Sequence, residues 1–327
     1  MITMNQTKVV LFGAFLGFLL VFSNENLVHA LESEEVKVLN LEPKDAKRDR
    51  IVPLRIYFTE KETPQPVVLF SHGLGGSREN NGYLGNYWAE GGFIAVFMQH
   101  AGSDSEVWKN VPLTQIMSAM KKAANYQSFQ SRIGDVSFVI DQLEAWNREP
   151  GHPLYGKLDL EHLGMSGHSY GSVTTLSVTE RRFPFNQSLA EPRIDAFIAF
   201  SPQPGQRLSP ERAFGEVRQP ILCMTGTEDG NVIDPRVTPE LRREVYKALP
   251  PGDKYELCFD GGTHAAFSDA GRRGVRRDPN HHPTIQKISL QFWKAYLQED
   301  AEAKQWLQSK QPNDDCNLKP ADVWQWK

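Results

Sequence analysis

The chain has little cysteine: three in 327 residues, none in a Cys-x-x-Cys pair. That excludes a disulfide framework. Neither charge is in excess, since 36 Lys and Arg against 40 Asp and Glu leave a net charge of -4. Nothing electrostatic therefore points to a nucleic-acid partner. With 25 Gly and 21 Pro the chain is neither collagen-like nor of low complexity. It contains no Gly-x-Gly-x-x-Gly and no Gly-Lys-Ser/Thr, so nucleotide binding has no support. Beyond the first thirty residues no apolar run is long enough to span a bilayer. There is no internal repeat and no linker that divides the chain.

What remains is globular composition, 40% hydrophobic and 23% charged, in a chain long enough to bury a large core unaided. Lys8 precedes an apolar run of 14 residues, Val9 to Phe22, and Val28-His29-Ala30 follows a polar stretch. This order predicts a signal peptide over residues 1–30 and an exported protein, periplasmic or extracellular. The run is short for an uncleaved anchor. Residues 31–327 are then expected to be one domain with no membrane span. Export makes disulfides permissible. Cys223 and Cys258 fall in apolar runs and read as buried strand residues, whereas Cys316 falls in a polar tail and reads as a surface thiol, with the pairing of all three open.

From about residue 50, apolar runs alternate with amphipathic stretches. Strands are expected at Pro53–Phe58, Val67–Ser71, Phe93–Gln99, His162–Ser166, Ala196–Ser201, Ile221–Gly226 and Tyr255–Asp260. Helices are expected at Gln130–Trp146, Pro239–Leu249 and Ile285–Leu297. The alternation predicts an α/β fold with a mostly parallel central sheet and helices on both faces. Val36–Leu41 and Ile51–Phe58 fit an antiparallel pair at one sheet edge. Gly102–Gln130 and Pro202–Gln219 read as excursions above the sheet.

Gly167-His168-Ser169-Tyr170-Gly171 is a Gly-x-Ser-x-Gly motif between an expected strand and a segment, Ser172–Val178, able to open a helix. A nucleophile on a sharp strand-to-helix turn needs flanking glycines. Ser169 is therefore the candidate nucleophile. A serine nucleophile needs a base, and the base needs an orienting carboxylate. Asp229 stands just past the strand Ile221–Gly226 and is favoured over Glu228 and Asp234. His264 follows the next strand on Gly261-Gly262-Thr263 and is favoured as base over His72, His168, His281 and His282. All three candidates sit at the carboxyl ends of strands, where open parallel sheets build their sites. An oxyanion needs two N–H donors. Tyr170, after the nucleophile, supplies one. The loop His72-Gly73-Leu74-Gly75-Gly76 supplies the other, with Leu74 preferred and Gly73 next.

Ser71-His72-Gly73-Leu74-Gly75 together with Gly167-His168-Ser169-Tyr170-Gly171 resembles the α/β-hydrolase branch of the secreted and type II platelet-activating-factor acetylhydrolases. It is still more similar to bacterial relatives labelled predicted dienelactone hydrolases. Asp49–Tyr57, Gln99–Asp104, Thr225–Asp229, Gly261–His264 and the closing Val323–Lys327 fit as well. The resemblance implies the α/β-hydrolase fold, a triad of Ser169, Asp229 and His264, oxyanion donors Leu74 and Tyr170, and no metal or other cofactor. True dienelactone hydrolases use cysteine where this chain has Ser169, and the acetylhydrolases carry Phe where it has Tyr170.

The expected function is a secreted serine carboxylester hydrolase acting through an acyl-enzyme, on short-chain acyl esters. An interfacial phospholipase-like or polyester hydrolase is the alternative, and an inactive binding module the third reading. Partners are small-molecule or lipid esters, with the natural substrate and the oligomeric state open. Thr114–Arg132 could form a lid, or pack as an ordinary excursion helix. His100 and Asp104 lack a third ligand for a metal. Arg272, Arg273, Arg276 and Arg277 read as a solvated basic run. Trp306, Trp324 and Trp326 are expected to pin the C-terminal tail to the body.

Overall fold

The computed structural model describes residues 35–205, 207–269 and 277–327. The expected leader, and Arg272, Arg273 and Arg276 of the basic run, lie outside these residues. In chain order the strands are β1 (Lys37–Leu41), β2 (Lys44–Asp45), β3 (Arg50–Ile51), β4 (Leu54–Phe58), β5 (Gln65–Ser71), β6 (Ile94–Met98), β7 (Leu158–His168), β8 (Ala196–Phe200), β9 (Ile221–Glu228), β10 (Lys254–Thr263) and β11 (Val323–Trp326). The helices are α1 (Gly82–Glu90), α2 (Glu106–Lys109), α3 (Ile116–Ala123), α4 (Tyr126–Arg148), α5 (Tyr170–Ser177), α6 (Pro210–Phe214), α7 (Pro239–Ala248), α8 (His281–Leu297), α9 (Ala301–Leu307) and α10 (Gln311–Asp315). None is long and apolar enough to cross a membrane among the described residues.

One nine-stranded sheet runs in the order β1-β4-β6-β5-β7-β8-β9-β10-β11. Strands β5 to β10 are parallel, while β1 and β4 at one edge and β11 at the other are antiparallel to their neighbours. The molecule is thus α/β with a large, mostly parallel sheet. Side chains alternate between two cores. Val67 and Leu69 of β5 pack with Val136, Val139 and Ile140 of α4, and Val68 and Phe70 pack with Trp88 of α1 and Trp293 of α8. Burial on both faces is why these strands are apolar throughout. The chain leaves β5 for β6 on one side and returns to β7 on the other, so a crevice opens beyond the carboxyl ends of β5 and β7.

Several expectations need correction. The edge strand Ile51–Phe58 is broken: Arg50–Ile51 turns back on Lys44–Asp45, and Pro53, lacking an N–H, only accepts from the Gln99 amide at 2.8 Å. Helix α4 begins a turn earlier than its apolar period shows, because the Asn125 side chain caps it from the Ser128 N–H at 2.9 Å. All three cysteines are free, and Cys316 is buried, not a surface thiol. The tail folds over α8, where the Cys316 carbonyl accepts from Asn280 and Thr284. Burial pushes both the Cys258 and the Cys316 thiol up to about 11. The tail is held as an edge strand: Trp324 stacks on Tyr255 at 5.9 Å, and the Trp306 indole donates to Asp315.

Candidate active site

Ser169 sits between β7 and α5 at φ 57° and ψ −114°, a left-handed turn that a serine adopts only under constraint. The constraint is visible on both sides. A Cβ at Gly171 would lie 1.8 Å from the Ser71 carbonyl oxygen, and one at Gly167 would lie 2.4 Å from the Gly171 oxygen. The β5 loop, β7 and the start of α5 are therefore in contact through backbone, and only glycine fits. The Ser169 amide donates to the Phe200 carbonyl at 3.0 Å, and the N-terminus of α5 lies under the hydroxyl.

The Ser169 Oγ is 2.9 Å from His264 Nε2, and His264 Nδ1 is 2.7 Å from Asp229 Oδ1. His264 reaches this position because β10 is irregular between Phe259 and Thr263, where Gly261 takes φ 67° and Gly262 packs on Gly226 of β9. Asp229 is fully buried and accepts from Thr225 Oγ1 at 2.9 Å through its other oxygen. Burial alone would push its carboxyl up, but the hydrogen bond and charge of His264 and the charge of Arg242 outweigh it and hold the carboxyl below the usual carboxylate range. The competing acids stand elsewhere: Glu228 is exposed, and Asp234 is paired with Arg236. Of the other histidines, His281 and His282 belong to α8, and His168 and His72 are buried.

The structure adds residues that the sequence reading did not single out. Arg242 of α7 is buried, with Nε 2.6 Å from the Asp229 carbonyl oxygen and 3.1 Å from its carboxylate, and Nη1 2.7 Å from the Ser201 carbonyl. Arg132 of α4 is equally buried. Its Nη1 donates to the His72 carbonyl at 2.7 Å, its Nε donates to Ser103 Oγ at 2.8 Å, and its guanidinium lies 4.5 Å from the Tyr170 ring centre. One side chain thus touches both segments that offer candidate oxyanion donors. Leu74 lines the same cavity as Ser169 and Tyr170, and Gly73 packs against Ser169 Cβ. Among the described residues, no acceptor pairs with the Leu74 or the Tyr170 N–H.

Behind this loop lies a second Ser–His–Asp chain. Ser71 Oγ is 2.9 Å from His100 Nε2, and His100 Nδ1 is 2.9 Å from Asp135 Oδ2. It has no access: the His100 and Asp135 side chains are 0% exposed, whereas His264 is 34% exposed. Burial, helped by the Arg132 charge and opposed by Asp135, pushes His100 down to about 4. Its serine is an ordinary strand residue, so this chain is a sealed hydrogen-bond network that ties α4 to β5. Asp104, the other candidate metal ligand, accepts instead from the Gln99 amide at 2.9 Å.

A cavity of about 260 Å³ opens over Ser169, lined among others by Leu74, Tyr170, Val173, Ile233 and Leu241. The Thr114–Arg132 excursion is fixed at its base, where Met120 and Trp108 pack on Gly75 and the Trp108 indole donates to the Gly75 carbonyl at 2.7 Å. No family model and no curated protein matches the chain.

Proposed function

We propose that the chain is a serine carboxylester hydrolase of α/β-hydrolase fold, exported as its first thirty residues suggest. The observation that carries this reading is the Ser169–His264–Asp229 hydrogen-bond chain at the mouth of a cavity, beside two unused N–H groups. Ser169 Oγ attacks the acyl carbon while His264 Nε2 takes its proton. The Leu74 and Tyr170 N–H groups hold the oxyanion of the tetrahedral intermediate. Collapse of that intermediate breaks the ester bond, and His264 returns the proton to the leaving alcohol. Water, deprotonated by His264, then attacks the acyl-enzyme and releases the acid. Asp229 keeps Nδ1 protonated and stabilises the imidazolium. Each step is a proton or acyl transfer among these groups, so no cofactor is required.

The test is hydrolysis of 4-nitrophenyl esters from acetate to palmitate, by the wild type and by Ser169→Ala, with phosphonate labelling followed by mass spectrometry. Short-chain hydrolysis abolished by the substitution, and one phosphonyl group on Ser169, are expected. Equal activity in both proteins would refute the mechanism. No activity and no label would favour a binding module. A second reading, an interfacial hydrolase of lipid or polyester, draws on Tyr126 and Phe185, exposed large apolar side chains that line one groove beside Tyr170. Activation by micelles or insoluble polymer would select it.

A further inference from the structure

The cavity over Ser169 shares its border with a larger groove of about 930 Å³, through Tyr170, Val173, Arg181 and Gly205. The groove is lined by aromatic rings, Phe129, Phe183 and Phe185 among them, and by Arg181, Arg182 and Arg207, with no Asp or Glu among the described residues. Arg182 is paired with Glu216 outside the groove. Arg181 has no such partner among the described residues. It is 7% exposed, with its guanidinium carbon 4.8 Å from the Phe183 ring centre and 4.4 Å from that of Phe214. Its Nη2 donates to the Pro204 carbonyl at 2.8 Å, and its buried Nε finds no acceptor among the described residues. Burial pulls its pKa down to about 10 with no anion opposing, so it is still charged at neutral pH.

A buried cation without a counter-charge is costly, and two ring faces offset only part of that cost. Here the cost is borne at the junction between the Ser169 cavity, where the lining carboxylate Asp234 is paired with Arg236, and an aromatic groove whose charged side chains are all positive among the described residues. A ligand that brings one negative charge to Arg181 recovers it. A carboxylate fits, because a guanidinium presents paired, planar donors and a single unpaired arginine balances a single charge.

We infer that Arg181 is the anchor for a carboxylate carried by the substrate: an ester whose apolar body lies in the aromatic groove while its reacting carbonyl lies at Ser169. This rests on the reading of Ser169 as nucleophile. It also separates the substrate class from simple neutral acyl esters, which leave Arg181 unpaired.

Two matched pairs test it, one for each side of the ester: mono-4-nitrophenyl adipate against 4-nitrophenyl hexanoate, and 6-acetoxyhexanoate against hexyl acetate. For at least one pair the wild type is expected to favour the anionic member by about tenfold or more in kcat/KM, the scale of one charge-assisted contact. Arg181→Met is expected to erase that ratio, and Arg181→Lys to keep part of it. The wild-type ratio should also shrink as salt is raised. Comparing ratios within each protein makes the readout independent of how much active enzyme folds. If Arg181→Met fails to fold, Arg207→Gln, at the exposed side of the groove, should lower the same ratio. Hydrolysis of 4-nitrophenyl acetate that depends on Ser169, with no anionic preference in either pair or with a preference that survives Arg181→Met, overturns the inference and leaves the esterase reading standing. Absence of Ser169-dependent acetate hydrolysis overturns both.

Discussion

Arg242 places a buried guanidinium against a buried carboxylate, Asp229, which also faces His264. Removing one member of such a cluster leaves the other charge uncompensated. Arg242→Met is expected to destabilise the fold by about 3–5 kcal/mol, measured by urea denaturation, and to lower kcat by loosening the Asp229 loop. Asp229→Asn keeps the shape but frees the imidazole to take the wrong tautomer, so kcat should fall about 10⁴-fold, and it leaves the buried Arg242 without its carboxylate, so folding stability should fall as well. A fall of less than tenfold would show that Asp229 does not orient the base. Arg132→Met withdraws the cation beneath Tyr170 and the donor to the His72 carbonyl. With both candidate oxyanion segments loosened, kcat is expected to drop by about 10²-fold, the scale of one lost donor, while KM changes little. Neither arginine was legible from the motifs, because a charged residue inside a helix ordinarily faces water. A signal did exist. Arg242 precedes Val245 and Tyr246, and Arg132 precedes Asp135, Val136 and Val139, so each falls on the i, i+3, i+4 stripe that its helix buries.

At the scale of elements, the strand–turn–helix that carries Ser169 depends on contact between backbones rather than on its own propensity. Gly171→Ala would drive a methyl group into the Ser71 carbonyl, which cannot yield without moving β5. A loss of roughly 1–3 kcal/mol from overpacking is expected, together with loss of esterase activity. A protein of unchanged melting temperature and activity would show that the turn is not held there. The parallel strands were legible because burial on both faces leaves short apolar runs, and their brevity and flanking turn residues separate them from buried helix segments. The motif glycines were legible for the same reason that makes them irreplaceable. Among what escaped were the short helices α1 and α9 and features set by single contacts: the Asn125 cap that extends α4, the Pro53 break before β4, and β11. Val323–Trp326 is too short for periodicity, and it becomes a strand only because the β10 edge accepts it and Trp324 finds Tyr255. Truncation after Asp322 would expose that edge, and the shortened protein is expected to melt lower and to aggregate on concentration, as light scattering would register.

For the whole molecule, acid should act on the fold through its buried histidines. His72, His100 and His168 are buried and neutral. Burial is the first cause in each case, followed by the Arg132 charge for His72 and His100 and by repulsion from His264 for His168. Asp135 opposes the shift at His100, and Asp229 opposes it at His168, without overcoming burial. All three folded-state values lie below the unfolded value of about 6.5. The unfolded chain therefore binds more protons once the pH drops below that value. The stabilisation is complete above about 6.5 and is lost as pH falls towards about 4, the value of His100. Each histidine contributes a slope of up to about 1.4 kcal/mol per pH unit in that window. Urea denaturation at pH 7.5, 6 and 5 is expected to show falling unfolding free energy with an unchanged m-value. Asp135 and Asp229, held below the carboxylate range, extend the loss below about pH 4. His100→Gln removes one titrating group, so it should lower stability at pH 7.5 by breaking the sealed network and yet flatten the slope between 6.5 and 4. The opposite signs at the two ends separate this account from general acid sensitivity, which would leave the slope of the variant unchanged.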